Sequence, residues 1–326
     1  MTAIGVVIVS YNTRELLRGC LASLRGCARP LRTVVVDNAS QDGSAALVRG
    51  QFPEVELLAL DRNLGFAGAT NLGLRAGLGI GAREPGPASP DPDLRHPLPE
   101  QVLLLNPDTV VHPEAIETLA AFLDAHPRVG AVGPRLLNPD GTLQAAAFRF
   151  PTPLMTLLDL FPPGEVLPGR LYNSWWHGRY PQEREGQPFP IDHPLGACIL
   201  TRRAVLEQVG LLDEAFFMYA EEVDWCYRVQ RAGWAIWQQP AAQVTHVGGA
   251  STSQFRARMQ IALYDSRLRF FRKHYPPRAL RWHRLIIAAG MLRAGLRAWR
   301  AYARRQISRD DLRAQLWAYG EIVRRV

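Results

Sequence analysis

Runs of β-branched and aliphatic residues that alternate with helix-forming segments, each run breaking off at a polar residue, constrain this chain more than any other feature. Ile4–Ser10 reads IGVVIVS, residues 31–36 read LRTVVV, and Gln101–Leu105 reads QVLLL. Continuous apolar runs this short belong to strands covered on both faces, as in a parallel sheet. Helices are predicted between them over residues 13–25, 44–49 and 67–78, with Thr13 capping the first, and a further strand over residues 55–60. This alternation predicts an α/β fold built on a doubly wound sheet. Ligands of such sheets lie outside the carboxyl ends of the strands, where Asp37, Asn63 and Asp108 fall.

The pattern loosens further along. Residues 79–100 hold six prolines and read as a surface insertion. A helix over 113–125 and a strand over 129–133 follow. Residues 149–187 are rich in Pro and Trp and predict a loop-heavy wall. A strand over 198–201, a helix over Arg203–Val209 and a helix over Glu221–Arg231 come next, the last stopped by Gly233. Strands are predicted over 234–238 and 243–246, and beyond Phe255 the chain is helical and strongly basic.

Of 326 residues, 47% are hydrophobic and 21% charged, which excludes a disordered or fibrous chain. The net charge of +8 raises nucleic acid, membrane surfaces and phosphorylated ligands as partners. It is uneven, however. Residues 254–326 carry 18 basic and 4 acidic side chains, a net of +14, so residues 1–253 carry −6. Lys273 is the only lysine among the 38 basic residues. No aromatic–basic interleaving of a nucleic-acid binder is apparent, so no nucleic-acid partner is expected. Cys20, Cys27, Cys198 and Cys226 are scattered, which fits a reducing compartment. There is no leader-like n-region and no apolar run of about 18–20 residues. The expected location is the cytoplasm, either free or peripheral at the cytoplasmic face of the inner membrane.

Four places hold side chains suited to chemistry, and each has a bland alternative. Asp108, after a buried strand, suits a divalent cation bridging a diphosphate; Asn106-Pro107-Asp108 is equally good turn chemistry. Asp37 suits a ribose or base, or caps the next helix. Glu221, Glu222 and Asp224 crowd three carboxylates beside the run Phe216–Tyr219. Crowded carboxylates against apolar surface raise one another's pKa, as a general base requires; acidic first turns also simply complement the helix dipole. His246 ends a strand before two glycines, as a metal ligand or as a polar loop residue.

The order of these segments is more specific than any one of them. VIVSYN, VVVDNAS, DRNLGFAGATNLG, LLLNPDT, LGACILTRR, FFMYAEEVDWCYR and VTHVGGAST together resemble the family 2 inverting glycosyltransferases of GT-A fold, and within them the bacterial rhamnosyltransferase-like branch. The resemblance runs from Ile4 to about Ser253. It implies a Rossmann-like, mixed and mostly parallel sheet flanked by helices, in a domain over 1–253. Residues 1–110 would form the nucleotide-sugar-binding half and 111–253 the acceptor and catalytic half, with a basic helical extension over 254–326. It further implies nucleotide binding by Val9, Ser10, Tyr11, Asp37, Arg62, Asn63, Gly65, Asn71 and Asn106. Gly196, Ala197 and Glu221 would lie at the donor sugar and acceptor. Asp108 and His246 would hold Mg²⁺ or Mn²⁺, and Glu222 would be the catalytic base, with Asp224 a candidate to share that role.

Two residues depart from the family's pattern. Asn106 replaces the first aspartate of the metal motif, and Glu222 stands where aspartate is usual. An extra methylene displaces a carboxylate by about 1 Å, a shift to which catalysis is sensitive. The processive signature Gln-x-x-Arg-Trp is absent from the sequence, which implies single-sugar transfer. The expected activity is metal-dependent inverting transfer of one sugar from a nucleoside-diphosphate sugar, with dTDP-rhamnose as the branch's common donor, to a hydroxyl of a glycan or lipid-linked acceptor. The alternative is a nucleotide-sugar-binding protein impaired in catalysis by those two departures. In the tail, Arg293, Arg297, Arg300 and Arg304 form one helical stripe beside Leu292, Leu296 and Trp299. That suits an anionic membrane surface; the alternatives are packing on the protein's own catalytic domain or on a second subunit as a homodimer. Gly290 and Gly295 argue against one long continuous helix there.

Overall fold

The computed structural model describes residues 3–81, 98–162, 174–248 and 256–326. The first half consists of β1 (Ile4–Ser10), α1 (Arg14–Leu24), β2 (Leu31–Asp37), α2 (Ser44–Gln51), β3 (Glu56–Ala59), α3 (Gly65–Leu72), β4 (Gln101–Leu105), β5 (Thr109–Val111), α4 (Ala115–Ala125) and β6 (Val129–Leu137). The second half adds the short β7 (Leu143–Gln144) and β8 (Ala147–Phe148), then α5 (Pro153–Leu160), β9 (Phe189–Pro190), β10 (His193–Pro194), β11 (Cys198–Arg202), α6 (Arg203–Val209), α7 (Glu221–Arg231) and β12 (Ala235–His246). Three helices close the chain: α8 (Arg256–His274), α9 (Pro277–Ala303) and α10 (Arg309–Arg325).

The main sheet runs β3-β2-β1-β4-β11-β6-β12-β5, with β7 on β6 and β9 on β12. The first four strands are parallel, β11 is antiparallel to both of its neighbours, and β12 returns parallel to β6. All seven residues of β1 are buried, as its unbroken apolar run requires of a central strand. Alternate side chains feed two cores. Val6, Ile8, Val35 and Leu103 face α1 and α4, while Val7, Val34, Val36 and Leu104 face α3 and α7. The register Ser10↔Asp37 ends β1 and β2 level, so their loops open on the same edge.

Several boundaries differ from expectation, with local causes. The helix predicted over 67–78 starts at Gly65 and loosens into a π-helical turn over Gly73–Gly77. There Gly73 and Gly77 lie against Val7 and Val34, with no room for a Cβ. The two late strands are one, β12, bulged between Gln239 and Gln243. The expected loop wall contains α5, with Pro153 at its start and Thr152 Oγ1 accepting from the Met155 N–H at 3.2 Å. Most of the proline-rich insertion, residues 82–97, lies outside the described residues.

α9 is continuous through both of its glycines. At Gly290 a Cβ would stand 2.6 Å from Leu160 Cδ1, so this glycine allows α5 to pack on α9. The three tail helices share a core of Ile261, Tyr264, Leu268, Ile287, Met291, Ala318 and Ile322, with Leu160 against it. A second cluster joins Phe270 and Phe271 of α8 to Phe216 and Val223. Among the described residues no helix is long and apolar enough to cross a membrane. The four cysteines are free.

Candidate active site

A cleft of about 340 Å³ opens at the carboxyl edge of the sheet. Val9, Tyr11, Asn63, Asn106, Asp108, Gly196, Ala197, Glu221, Glu222 and His246 all line it. Ten of the expected site residues, dispersed over 238 positions of sequence, thus meet in one place.

Asp108 and His246 meet because β5 and β12 pair antiparallel, with His246 opposite Thr109 and the Val247 N–H donating to Asp108 O at 3.0 Å. Asp108 Oδ1 lies 3.3 Å from His246 Nε2, both side chains being buried. The neighbouring amides decide the imidazole's tautomer. Gln144 Nε2 donates to Asn138 Oδ1 at 2.9 Å and to His246 O at 3.2 Å, which turns Gln144 Oε1 toward His246 Nδ1 at 2.8 Å. Nδ1 therefore donates to Gln144, and Nε2 is the ring nitrogen that faces the carboxylate oxygen. A carboxylate oxygen and an imidazole nitrogen this close at the cleft wall are a donor set that suits Mn²⁺ or Mg²⁺. Among the described residues no third His, Cys, Asp or Glu joins the pair. A cation here would take its remaining ligands from water and from the anionic substrate.

Glu221 and Glu222 open α7. Before them Tyr219 and Ala220 are both left-handed, at φ 69° and 62°, a conformation costly for side-chain-bearing residues. This kink swings the helix start under the cleft. Burial pushes both carboxyls above the usual range, and for Glu221 the neighbouring Glu222 adds to the effect. N–H groups of Glu222, Val223 and Gly196 oppose the rise at Glu222. Each glutamate keeps one buried oxygen, Oε2, without a partner. Gly196 makes room for the longer side chain: a Cβ there would meet Glu222 Cγ at 3.2 Å and Cδ at 3.3 Å.

The other expected residues divide. Asp37 is buried behind the cleft with Oδ1 unpartnered. Ser10 is buried and shares a hydrogen bond with Thr13 Oγ1 at 3.0 Å, so it shapes the β1 turn and does not line the cleft. Arg62 is exposed and also lies off the lining. Gly65, at φ +74°, shapes the wall, since a Cβ would stand 2.4 Å from Phe217 O.

Asn71 and Asp224 are corrected by the structure. Asn71 is fully buried, donating to Leu212 O and Glu214 Oε1 at 2.8 Å each and accepting from the Leu212 N–H. It staples α3 to the 210s loop and does not line the cleft. Asp224 is also fully buried. Arg228 Nε reaches its Oδ2 at 2.9 Å, and Lys273 Nζ and His274 Nε2 reach Oδ1 at 2.8 and 2.7 Å. A carboxylate so occupied cannot accept a substrate proton, so Asp224 is an anchor between α7 and α8.

The cleft also contains residues not expected to line it. Asn38, next to Asp37 in the DNAS segment, bonds Asn63 Oδ1 and Gly65 O and accepts from the Leu64 N–H, so it fixes the Asn63 loop. Phe217, Met218 and Tyr219 belong to the aromatic run beside the acidic cluster. Met259 comes from α8, and nothing in its sequence context marks it.

The chain is similar to several known proteins. The family "Glycosyltransferase like family 2" matches residues 2–263. A curated relative, N-acetylglucosaminyl-diphospho-decaprenol L-rhamnosyltransferase of Mycobacterium tuberculosis, is 34% identical over 251 residues, which cover 76% of this chain and 77% of that protein. Low-salt glycan biosynthesis hexosyltransferase Agl10 of Haloferax volcanii is 28% identical over 267 residues, covering 82% and 74%. Among solved structures, the mannosyltransferase PcManGT from Pyrobaculum calidifontis, in complex with GDP-Man and Mn²⁺, superposes with a TM-score of 0.53 at 17% identity, covering 99% of this chain and 85% of that one. GalNAc-T7 with UDP, GalNAc and Mn²⁺ superposes at 0.56 and 14% identity, covering 83% and 48%. These two likenesses establish the fold, the mixed GT-A sheet flanked by helices. With four-fifths of its length matched, the chain belongs to the family 2 glycosyltransferases and is an inverting glycosyltransferase.

Proposed function

We propose that this enzyme transfers a single hexose, with rhamnose the leading candidate, from a nucleoside-diphosphate sugar to a hydroxyl of a lipid-linked glycan. The observation that carries the reading is one cleft holding both the Asp108–His246 pair and a half-buried Glu222 whose Oε2 is buried without a partner. The mycobacterial relative's name gives rhamnose and a diphospho-lipid acceptor for that protein, and the same classes are adopted here. On this reading residues 1–253 carry the chemistry, with 254–326 appended as a helical layer. The enzyme works as a peripheral protein at the cytoplasmic face of the membrane.

Nucleoside and ribose lie along Val9, Tyr11 and Asn63, with the orphan oxygen of Asp37 behind them as an acceptor for a base or ribose donor. Asn106 and Gly196-Ala197 border the sugar. Asp108 and His246 would hold a divalent cation, which when bound would supply Lewis-acid stabilisation of the charge left on the departing diphosphate. Glu222 accepts the proton of the acceptor hydroxyl as that oxygen bonds to the anomeric carbon. The bond from that carbon to the diphosphate oxygen breaks on the opposite face, so the configuration inverts. Burial raises the basicity of Glu222, as a general base near neutral pH requires. Glu221, whose carboxyl is pushed well above the usual range by burial and then by the neighbouring Glu222, is placed to donate a hydrogen bond to the sugar or acceptor.

Glu222→Gln is expected to lower kcat by about 10³-fold, within the range for loss of a general base, with nucleotide binding retained. The check is a transfer assay with dTDP-rhamnose and Mn²⁺ beside a thermal-shift titration with the nucleotide, each repeated in chelator. Near-normal turnover of the variant, or full activity in chelator, overturns the reading.

A further inference from the structure

On α9, Trp282, Leu285, Ala289, Leu292, Leu296 and Trp299 follow one another at alternating steps of three and four. They therefore form one band along the helix. Their exposure is unusual for large apolar side chains: Trp282 63%, Leu285 61%, Leu292 69%, Leu296 63% and Trp299 58%. The helix is not free to turn them inward, because its opposite face, His283, Ile287, Met291 and Ala298, is buried. Leu316 of α10 extends the band, lying 3.5 Å from where a Gly295 Cβ would stand. Continuous apolar surface on this scale marks a contact site.

The charge around the band indicates the kind of contact. The 27 residues of α9 contain six arginines and no Asp or Glu. Arg293, Arg297 and Arg300 share a shallow groove with Ala289, Leu292 and Leu296. Two copies packed through this face would bring arginines together with no carboxylate on either α9 to receive them. A surface of lipid phosphates supplies the missing charge, and tryptophan suits the boundary between headgroup and acyl chain.

We infer that this face of α9 seats the protein on an anionic bilayer, with the tryptophans and leucines entering the interface and the flanking arginines binding lipid phosphates. The inference deepens the peripheral-membrane reading above by naming the surface, and it rests on that reading only for the acceptor. α8 packs against α9 and gives Met259 to the cleft, so one helix separates the docked face from the active site.

The test is flotation of the full chain with vesicles of phosphatidylcholine alone or mixed with phosphatidylglycerol. The wild type is expected to float only with the mixed vesicles, less so at high salt. Leu292→Ser with Leu296→Ser should release it. Arg297→Gln with Arg300→Gln should weaken binding by about fivefold per arginine, following the gain from each basic residue near an anionic surface. All four positions are exposed, so thermal unfolding and nucleotide titration should match wild type and certify the folded state. Absence of wild-type binding to mixed vesicles, or binding unchanged in the stripe variants, overturns the inference. So does a wild-type dimer in sedimentation that the leucine variants split. Any of these would leave transfer to a water-soluble acceptor intact, so failure here is distinguishable from failure of the proposed chemistry.

Discussion

Glu222 shows how little space separates a base from a bystander. Its extra methylene relative to aspartate is housed against Gly196, whose absent Cβ leaves only 3.2 Å to Glu222 Cγ. Gly196→Ala should shift the Glu222 carboxylate by a few tenths of an ångström and lower kcat by about 10-fold, less than the roughly 100-fold of a 1 Å misplacement. Nucleotide affinity should be unchanged, and steady-state kinetics beside a nucleotide titration reads both. His283 tests burial differently. It stacks on Phe271 at 3.8 Å with neither ring nitrogen partnered, and burial lowers its pKa to about 3. A group that prefers to be neutral when folded leaves stability intact above its unfolded pKa near 6.5 and erodes it as pH falls toward 3. Buried His193, lowered to about 4, acts in the same direction. His283→Leu should therefore flatten part of the acid limb of a urea-unfolding series taken between pH 7 and pH 4.

At the level of elements, α7 and α8 form one unit. Asp224 gathers Arg228, Lys273 and His274, Lys273 Nζ also reaches Asp213 at 2.6 Å, and Ser266 Oγ donates to Met218 O. Asp224→Ala would strand three cationic or donor groups around an emptied site. The expected cost is about 3–5 kcal/mol, as for breaking a buried ion pair from one side, read as a shifted urea midpoint. These contacts also show which parts of the structure were legible in sequence. β1, β4, α6 and α7 were readable at their observed boundaries because each is set by an uninterrupted local pattern. Asp108 and His246 were legible through motif order, although their meeting depends on the pairing of β5 with β12. Asn71 and Asp224 misled because a polar residue inside a motif looks the same whether its partners are substrate or protein. Met259 carried no signal, since only the fold-back of α8 brings it to the cleft. Gly290 was misread because a glycine's intrinsic helix cost is visible locally, while the Leu160 side chain that requires it lies 130 positions away.

The molecule as a whole divides its charge by task. The mildly acidic part of the chain builds the cleft, and on the proposed function the anionic donor is met there by a cation at Asp108 and His246. The basic tail keeps its arginines on the helices farthest from that chemistry in sequence. The overall +8 is therefore a poor guide to the substrate and a better one to the surroundings in which the enzyme works.

The single lysine has a practical consequence. Lys273 Nζ is held by Asp213 and Asp224, with a third of its side chain exposed. An amine-directed reagent thus finds one side-chain target in the chain, positioned where α8 meets the helix bearing Glu222. Acylation of Lys273, followed by peptide mass spectrometry, should be slow while that clamp holds and should quicken at least several-fold in Asp224→Ala. The residue is a built-in gauge of whether the tail is seated, and an amine reagent reads it while leaving the arginines untouched.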